Sequence, residues 1–285
     1  MKIWLSVDME GVSGLVRWPD VIRSGMDFER NRRLMTLDAN AAAQGAFEAG
    51  ARAVVIEENH GVEDLCDLVI DEVDPRCTVV RGAGRPTATT MAGLDADVDL
   101  VFLVGHHARA GSFPGIMAHT VSYEKFAAVR VAGRDCGEPE IMAIRAGELG
   151  VPVGLVTGDQ IAIEQLTKRV PQAEAVEVKR ALSRVAGEVI PPSRAREAIR
   201  SGARRAAERF AAGELEPYRG ESAPYEIEVE LRSPASEGLR RNLERLPEFE
   251  LEGEQTVHTV APDMDVGFRR IAYLGFGDRE GLIRY

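Results

Sequence analysis

Cysteine is scarce in this chain: Cys66, Cys77 and Cys136 are the three among 285 residues, and no two stand in a Cys-x-x-Cys pair. An odd count without paired spacing argues against a disulfide framework and against a zinc site built on thiolates, and it fits a reducing compartment, the cytoplasm. Positive charge is short as well, with 35 Lys and Arg against 46 Asp and Glu and a net charge of −11. Nucleic acid and anionic membrane surfaces both demand a basic face, so neither is expected as a partner. No apolar run approaches the ~18 residues that a membrane span requires. The apolar start Ile3-Trp4-Leu5-Ser6-Val7 is cut short by Asp8 and Glu10, so a signal peptide is not expected either. Gly-x-Ser-x-Gly and Gly-Lys-Ser/Thr motifs are missing, and Gly82-Ala83-Gly84 has no third glycine to make a dinucleotide fingerprint. What remains is small-molecule or peptide chemistry.

The composition, 45% hydrophobic and 28% charged, is that of a globular chain able to build a sizeable core. Short β-branched runs at Ile3–Val7, Ala53–Ile56, Thr78–Val80, Val98–Val104 and Val153–Val156 alternate with helical stretches at Asp38–Ala49, Glu138–Leu149 and Gln160–Arg169. Continuous apolar strands separated by helices predict an α/β fold, a mainly parallel sheet with helices on both faces. Pro191-Pro192-Ser193 interrupts the pattern, with Ser193 placed to cap a helix carrying Ile199, Ala203, Ala206 and Phe210. Beyond it, Tyr225, Ile227, Val229 and Leu231 alternate with glutamates as in a strand with one wet face. We therefore expect a metal-binding catalytic domain over 1–190 and a smaller α/β lobe over 191–285 that serves oligomerisation or covers the cleft.

The chain has five histidines, and four of them, His60, His106, His107 and His119, fall within sixty residues. Asp8 and Glu10 follow the first predicted strand, His60 the second, and His106-His107 the run ending at Val104. In a parallel sheet the carboxyl ends of the strands share one edge, so these side chains converge on one crevice. Two carboxylates and imidazoles in one place describe a metal site. Asp8 and Glu10, at i and i+2 on extended backbone, project to the same side and can serve one centre. His106 and His107 are adjacent and would point opposite ways on extended backbone, leaving one ligand and one group that packs or hydrogen-bonds behind it. His119 sits on a glycine-containing loop, where a ligand, a proton carrier and a loop residue without a role are all open. His258, in the alternating run Thr256–Val260, reads as a strand histidine.

Ser6-Val7-Asp8-Met9-Glu10-Gly11-Val12-Ser13-Gly14 resembles the N-terminal signature of the zinc-dependent D-aminopeptidases of the DppA kind. The likeness continues in order through His60, Gly105-His106-His107-Ala108-Arg109-Ala110, Pro114-Gly115-Ile116-Met117-Ala118-His119 and Gly137-Glu138. It covers about the first 190 residues, and the remainder in outline. The resemblance implies two zinc ions per chain, held by Asp8, Glu10, His60, His107 and Glu138, with His119 as the catalytic histidine. It implies hydrolysis of the N-terminal residue of short peptides, D-Ala-D-Ala-like, by a metal-bridging hydroxide. It also implies a homo-oligomer, a decamer in the best-described member. If Asp8 bridges, each zinc has that carboxylate and two of the other four ligands, and a shared water completes the coordination. His106 stands where the family pattern has an aromatic residue, and the loop Gly111–Phe113 differs in length. A metal amidohydrolase acting on L-peptides or on a non-peptide amide, and a metal- or peptide-binding protein without turnover, are the competing readings.

Overall fold

The computed structural model describes residues 1–61, 64–85 and 90–276. Its strands, in chain order, are β1 (Lys2–Val7), β2 (Ala53–Glu58), β3 (Thr78–Val80), β4 (Leu100–Val104), β5 (Phe126–Val131), β6 (Arg134–Asp135), β7 (Val153–Asp159), β8 (Glu174–Ala181), β9 (Gly187–Val189), β10 (Tyr225–Leu231), β11 (Phe249–Glu252) and β12 (Thr256–Ala261). The helices are α1 (Trp18–Val21), α2 (Phe28–Glu48), α3 (Glu138–Glu148), α4 (Gln160–Arg169), α5 (Pro192–Ala211), α6 (Glu237–Leu243) and α7 (Met264–Phe276).

A seven-stranded sheet in the order β3-β2-β1-β4-β7-β8-β9 forms the middle layer, parallel throughout except for β9. Its central strands are apolar on both sides because both sides are covered. Ile3, Leu5 and Val7 of β1 and Leu100, Phe102 and Val104 of β4 pack on one face with α2 and α5. Trp4, Val101 and Leu103 turn to the other face, against α3, α4 and a second, antiparallel sheet backed by α7. That sheet has the order β11-β12-β10-β5-β6. Alanines make the first layer thin: Ala39, Ala42, Ala43 and Ala46 of α2 meet Ala195, Ile199, Ala203 and Ala206 of α5 across a shared core. The result is the α/β architecture, a mainly parallel sheet between helices, that alternating strands and helices predicted.

Three local expectations change. The helix expected from Asp38 begins ten residues earlier, at Phe28, because its first turns bury only Phe28, Asn31 and Met35 beneath an exposed arginine-rich face. The cap of α5 is Pro191, with Pro192 at the first helical position and Ser193 inside the first turn, since the fixed proline φ already suits a helix start. The segment beginning at 191 is also shared between layers: α5 packs on α2, while β10 pairs with β5 from the first half of the chain. No helix among the described residues is long and apolar enough to cross a membrane.

Candidate metal centre

Register decides which residues meet. Val7, the last residue of β1, lies between Glu58 of β2 and Val104 of β4, so the three strands run out at one level. The chain that follows them is laced together: Asp8 N donates to Val104 O at 2.9 Å, Asn59 N to Val7 O at 2.9 Å and Gly11 N to Gly105 O at 2.7 Å. Asp8 and Glu10, Asn59 and His60, and His106 and His107 thus leave the same sheet edge side by side. Glu138 comes from another direction, as the first residue of α3, where an anionic side chain is favoured by the helix dipole. His119 is carried by the loop before β5.

These side chains form one buried cluster. His107 Nε2 lies 3.3 Å from Asp8 Oδ2 and 3.5 Å from Glu138 Oε1. His60 Nε2 is 3.7 Å from Glu10 Oε1, and His119 Nε2 approaches the same oxygen to 3.9 Å. Two sets, Asp8 with Glu10 and His107, and His107 with His119 and Glu138, each offer ligand atoms within 4.8 Å of one another. Asp8 Oδ2 and Glu10 Oε2 are buried and accept no hydrogen bond, a costly arrangement for carboxylates unless a cation completes it. The donor set of carboxylate oxygens and imidazole nitrogens fits zinc.

Backbone carbonyls orient two of the imidazoles. His107 Nδ1 is 3.0 Å from Ala108 O and His119 Nδ1 is 2.8 Å from Met117 O. A carbonyl can only accept, so both Nδ1 atoms carry a hydrogen and both Nε2 atoms are turned to the cluster, each with a lone pair there when its ring is neutral. Glu138 is fixed at both oxygens, by Val121 N at 2.9 Å and Asn59 Nδ2 at 3.2 Å.

The electrostatics are those of groups crowded without a counterion. Burial, followed by the Glu10 carboxylate, pushes the Asp8 carboxyl well above its ordinary value. Burial acts on Glu10 in the same sense, but His60 and His119 overcome it and draw Glu10 down to about 2. Against a burial that would lower it, His107 is raised to about 10 by Glu138 and Asp8. Burial and the neighbouring His107 push His119 down to about 4.

His106 departs from expectation. Gly105 has φ +70, so the chain leaves the extended conformation just before the two histidines, and both approach Asp8 Oδ2. His106 Nδ1 also reaches Asp8 Oδ2, at 3.7 Å, in a fully buried position where neither ring nitrogen has a hydrogen-bond partner. His258, in β12, lies apart from the cluster and pairs with Glu252 at 2.8 Å. The carboxylate and imidazole groups singled out at the strand ends, together with Glu138 and His119, all line or adjoin one cavity of about 620 Å³.

Several residues of the site carry no motif. Trp18 meets the His119 ring edge-on at 5.5 Å and stacks on Tyr123 at 4.5 Å. Phe268, Tyr273 and Phe276 of α7 form an apolar wall of the cavity. Lys179 is buried beneath the Asp8–Glu10 segment and donates from Nζ to the carbonyls of Glu10, Val12 and Leu15 at 2.5, 3.1 and 2.6 Å. Burial lowers its pKa to about 8.

Comparison with known proteins points to one family. The family model of peptidase family M55, described as D-aminopeptidase, matches residues 1–272. A D-aminopeptidase of Bacillus subtilis (strain 168) is 32% identical over 198 residues, which are 68% of this chain and 69% of the relative. A solved structure, the Zn-dependent D-aminopeptidase DppA from Bacillus subtilis, described as a self-compartmentalizing protease, superposes with a TM-score of 0.87 at 26% identity over 96% of each chain.

Proposed function

The chain belongs to the D-aminopeptidase family, and from that premise we propose that it is a dinuclear zinc aminopeptidase that removes the N-terminal residue of short peptides of D-amino acids. The observation that carries the reading is that Asp8 and Glu10 each bury a carboxylate oxygen without a hydrogen-bond partner, beside His107 at Asp8 Oδ2 and beside His60 and His119 at Glu10 Oε1. Ligand atoms about 2.0–2.1 Å from a tetrahedral zinc stand about 3.3 Å from one another. The His107–Asp8, His107–Glu138 and His60–Glu10 separations of 3.3, 3.5 and 3.7 Å are close to that edge. Asp8, Glu10, His60, His107 and Glu138 would hold the two zinc ions, Glu10 and His60 serving one, His107 and Glu138 the other, and Asp8 both.

Zinc held by these residues would supply Lewis acidity for the scissile carbonyl and would lower the pKa of a bound water toward neutrality. The protein's own part is orientation and proton transfer. His119 keeps its hydrogen on Nδ1 through Met117 O and offers Nε2 as the acceptor of the attacking water's proton. The leaving amine then takes that proton from Nε2. Lys179 and Ser13 hold the Asp8–Glu10 segment still, Lys179 through three carbonyls and Ser13 through its bonds to Asp38. The aromatic and apolar walls keep bulk water from the reacting bond and supply surface for substrate side chains. We further propose that the chain works as a homo-oligomer, a decamer, since the self-compartmentalizing relative matches it over 96% of both chains. Free cysteines are consistent with a cytoplasmic location.

Zinc content tests the assignment. Protein dialysed against zinc should hold two ions per chain, and Asp8→Ala should hold neither; an Asp8→Ala protein that keeps both would rule out the bridge.

A further inference from the structure

His60 has a partner behind it that the reaction described above does not use. Its Nδ1 lies 2.7 Å from Asp67 Oδ2, while its Nε2 faces Glu10. The Asp67 side chain is 1% exposed, an unusual place for a carboxylate unless something holds it there. Three groups do. Arg23 Nη2 donates to Asp67 Oδ1 at 2.6 Å, and the same guanidinium grips Asp64 with both terminal nitrogens. Arg32 Nε, reaching down from α2, donates to the Asp67 carbonyl at 2.6 Å. The next amide, Leu68 N, donates to the buried Glu58 carboxylate at 3.1 Å. Even the neighbouring glycine belongs to the arrangement, because a Cβ on Gly61 would stand 2.6 Å from Asp67 Oδ2.

We propose that Asp67 is a positioning residue that fixes His60 with its hydrogen on Nδ1 and its Nε2 lone pair turned to the metal beside Glu10, and that Arg23 locks Asp67 in place. An anionic acceptor on Nδ1 both selects the tautomer and makes Nε2 a better donor to a cation. Arg23 lines the cavity, so its bonds also tie the segment after α1, one wall of the cavity, to the loop that carries His60. The inference rests on reading His60 as a zinc ligand, and the test separates the two.

Zinc affinity, measured by competition against a chromophoric chelator, is read for wild type, His60→Ala, Asp67→Ala, Asp67→Asn and Arg23→Gln. Circular dichroism and the Tm of each metal-free protein control for folding. Removal of a partner behind a metal-bound histidine lowers affinity roughly 10- to 100-fold. Asp67→Ala should show that loss for one zinc and leave the other unchanged. Asp67→Asn, isosteric and still able to accept from Nδ1, should fall between Asp67→Ala and wild type, and Arg23→Gln should weaken the same zinc by less. In the NMR spectrum of the zinc-loaded protein, a downfield Nδ1–H proton that disappears in His60→Ala should move upfield in Asp67→Asn. If His60→Ala loses one zinc while Asp67→Ala and Asp67→Asn bind both as wild type does, the positioning role is wrong and the ligand reading stands. If His60→Ala itself binds both zinc ions normally, the ligand reading fails and the positioning role fails with it.

Discussion

The imidazoles of His107 and His119 stack with centroids 3.9 Å apart and planes 12° from parallel. Two rings at that distance cannot both be cationic at neutral pH, and their neighbours decide which one is. His107 touches Glu138 and Asp8 and is raised to about 10, whereas burial and the His107 charge take His119 down to about 4. In the metal-free protein His119 is thus the neutral member of the pair, its Nε2 unprotonated. His119→Ala should lower kcat roughly 100- to 10,000-fold, the range for a lost general acid–base group, with zinc content unchanged. Loss of a zinc ion from His119→Ala would make it a ligand, as the set His107, His119 and Glu138 allows on geometry alone.

Zinc binding should release protons. In the metal-free protein His107 is raised above its ordinary value of 6.5, so the protonated ring stabilises the fold fully below that value and the benefit is lost as pH rises through about 10. Zinc needs the neutral ring and competes with that proton, so apparent zinc affinity should increase with pH between 6 and 8. Calorimetric titrations in buffers of different ionisation enthalpy should show at least one proton released per chain. Heats independent of buffer, with affinity independent of pH, would contradict the assignment of His107.

Trp18 forms a platform next to His119, stacked on Tyr123 and edge-on to the histidine ring. Because His119 delivers the proton to the leaving amine, the residue on that side of the scissile bond should rest on Trp18. An aromatic contact is worth about 0.5–1.5 kcal/mol beyond its area, so Trp18→Ala should raise KM up to roughly tenfold for a dipeptide ending in phenylalanine. The corresponding amino acid amide, which releases only ammonia, should be little affected. Equal effects on both substrates would place Trp18 elsewhere in the reaction.

Much of this arrangement is legible in the sequence, and the reasons are physical. Ile3–Val7 and Val98–Val104 are apolar on both faces, so they announce central parallel strands, and a parallel sheet brings Asp8, Glu10, His60 and His107 to one edge without further information. The first turns of α2 escape the same reading because the arginines of their exposed face hide Phe28 and Met35. Glu138 has no strand end to mark it; it arrives through the start of α3, and the resemblance to a known family is what singles it out. That both His106 and His107 approach Asp8 Oδ2 is a matter of tertiary geometry that no side-chain pattern encodes. Trp18 and Lys179 act through contacts across long stretches of chain, as in Lys179 with Glu10, and Asp67, though only seven residues from His60, is fixed by Arg23 from far along the chain; such pairs become visible only when the fold closes. A buried lysine between apolar Val178 and the end of a strand was the signal available, and spacing alone does not say what it holds.

The proposed zinc-dependent hydrolysis of peptides of D-amino acids is measured directly by release of free amine from D-Ala-D-Ala and, separately, from L-Ala-L-Ala by zinc-loaded protein, with and without a chelator. Cleavage of the D-dipeptide that stops on chelation and resumes with added zinc is the predicted result. Cleavage of the L-dipeptide alone, or cleavage of either that persists in excess chelator, would contradict it.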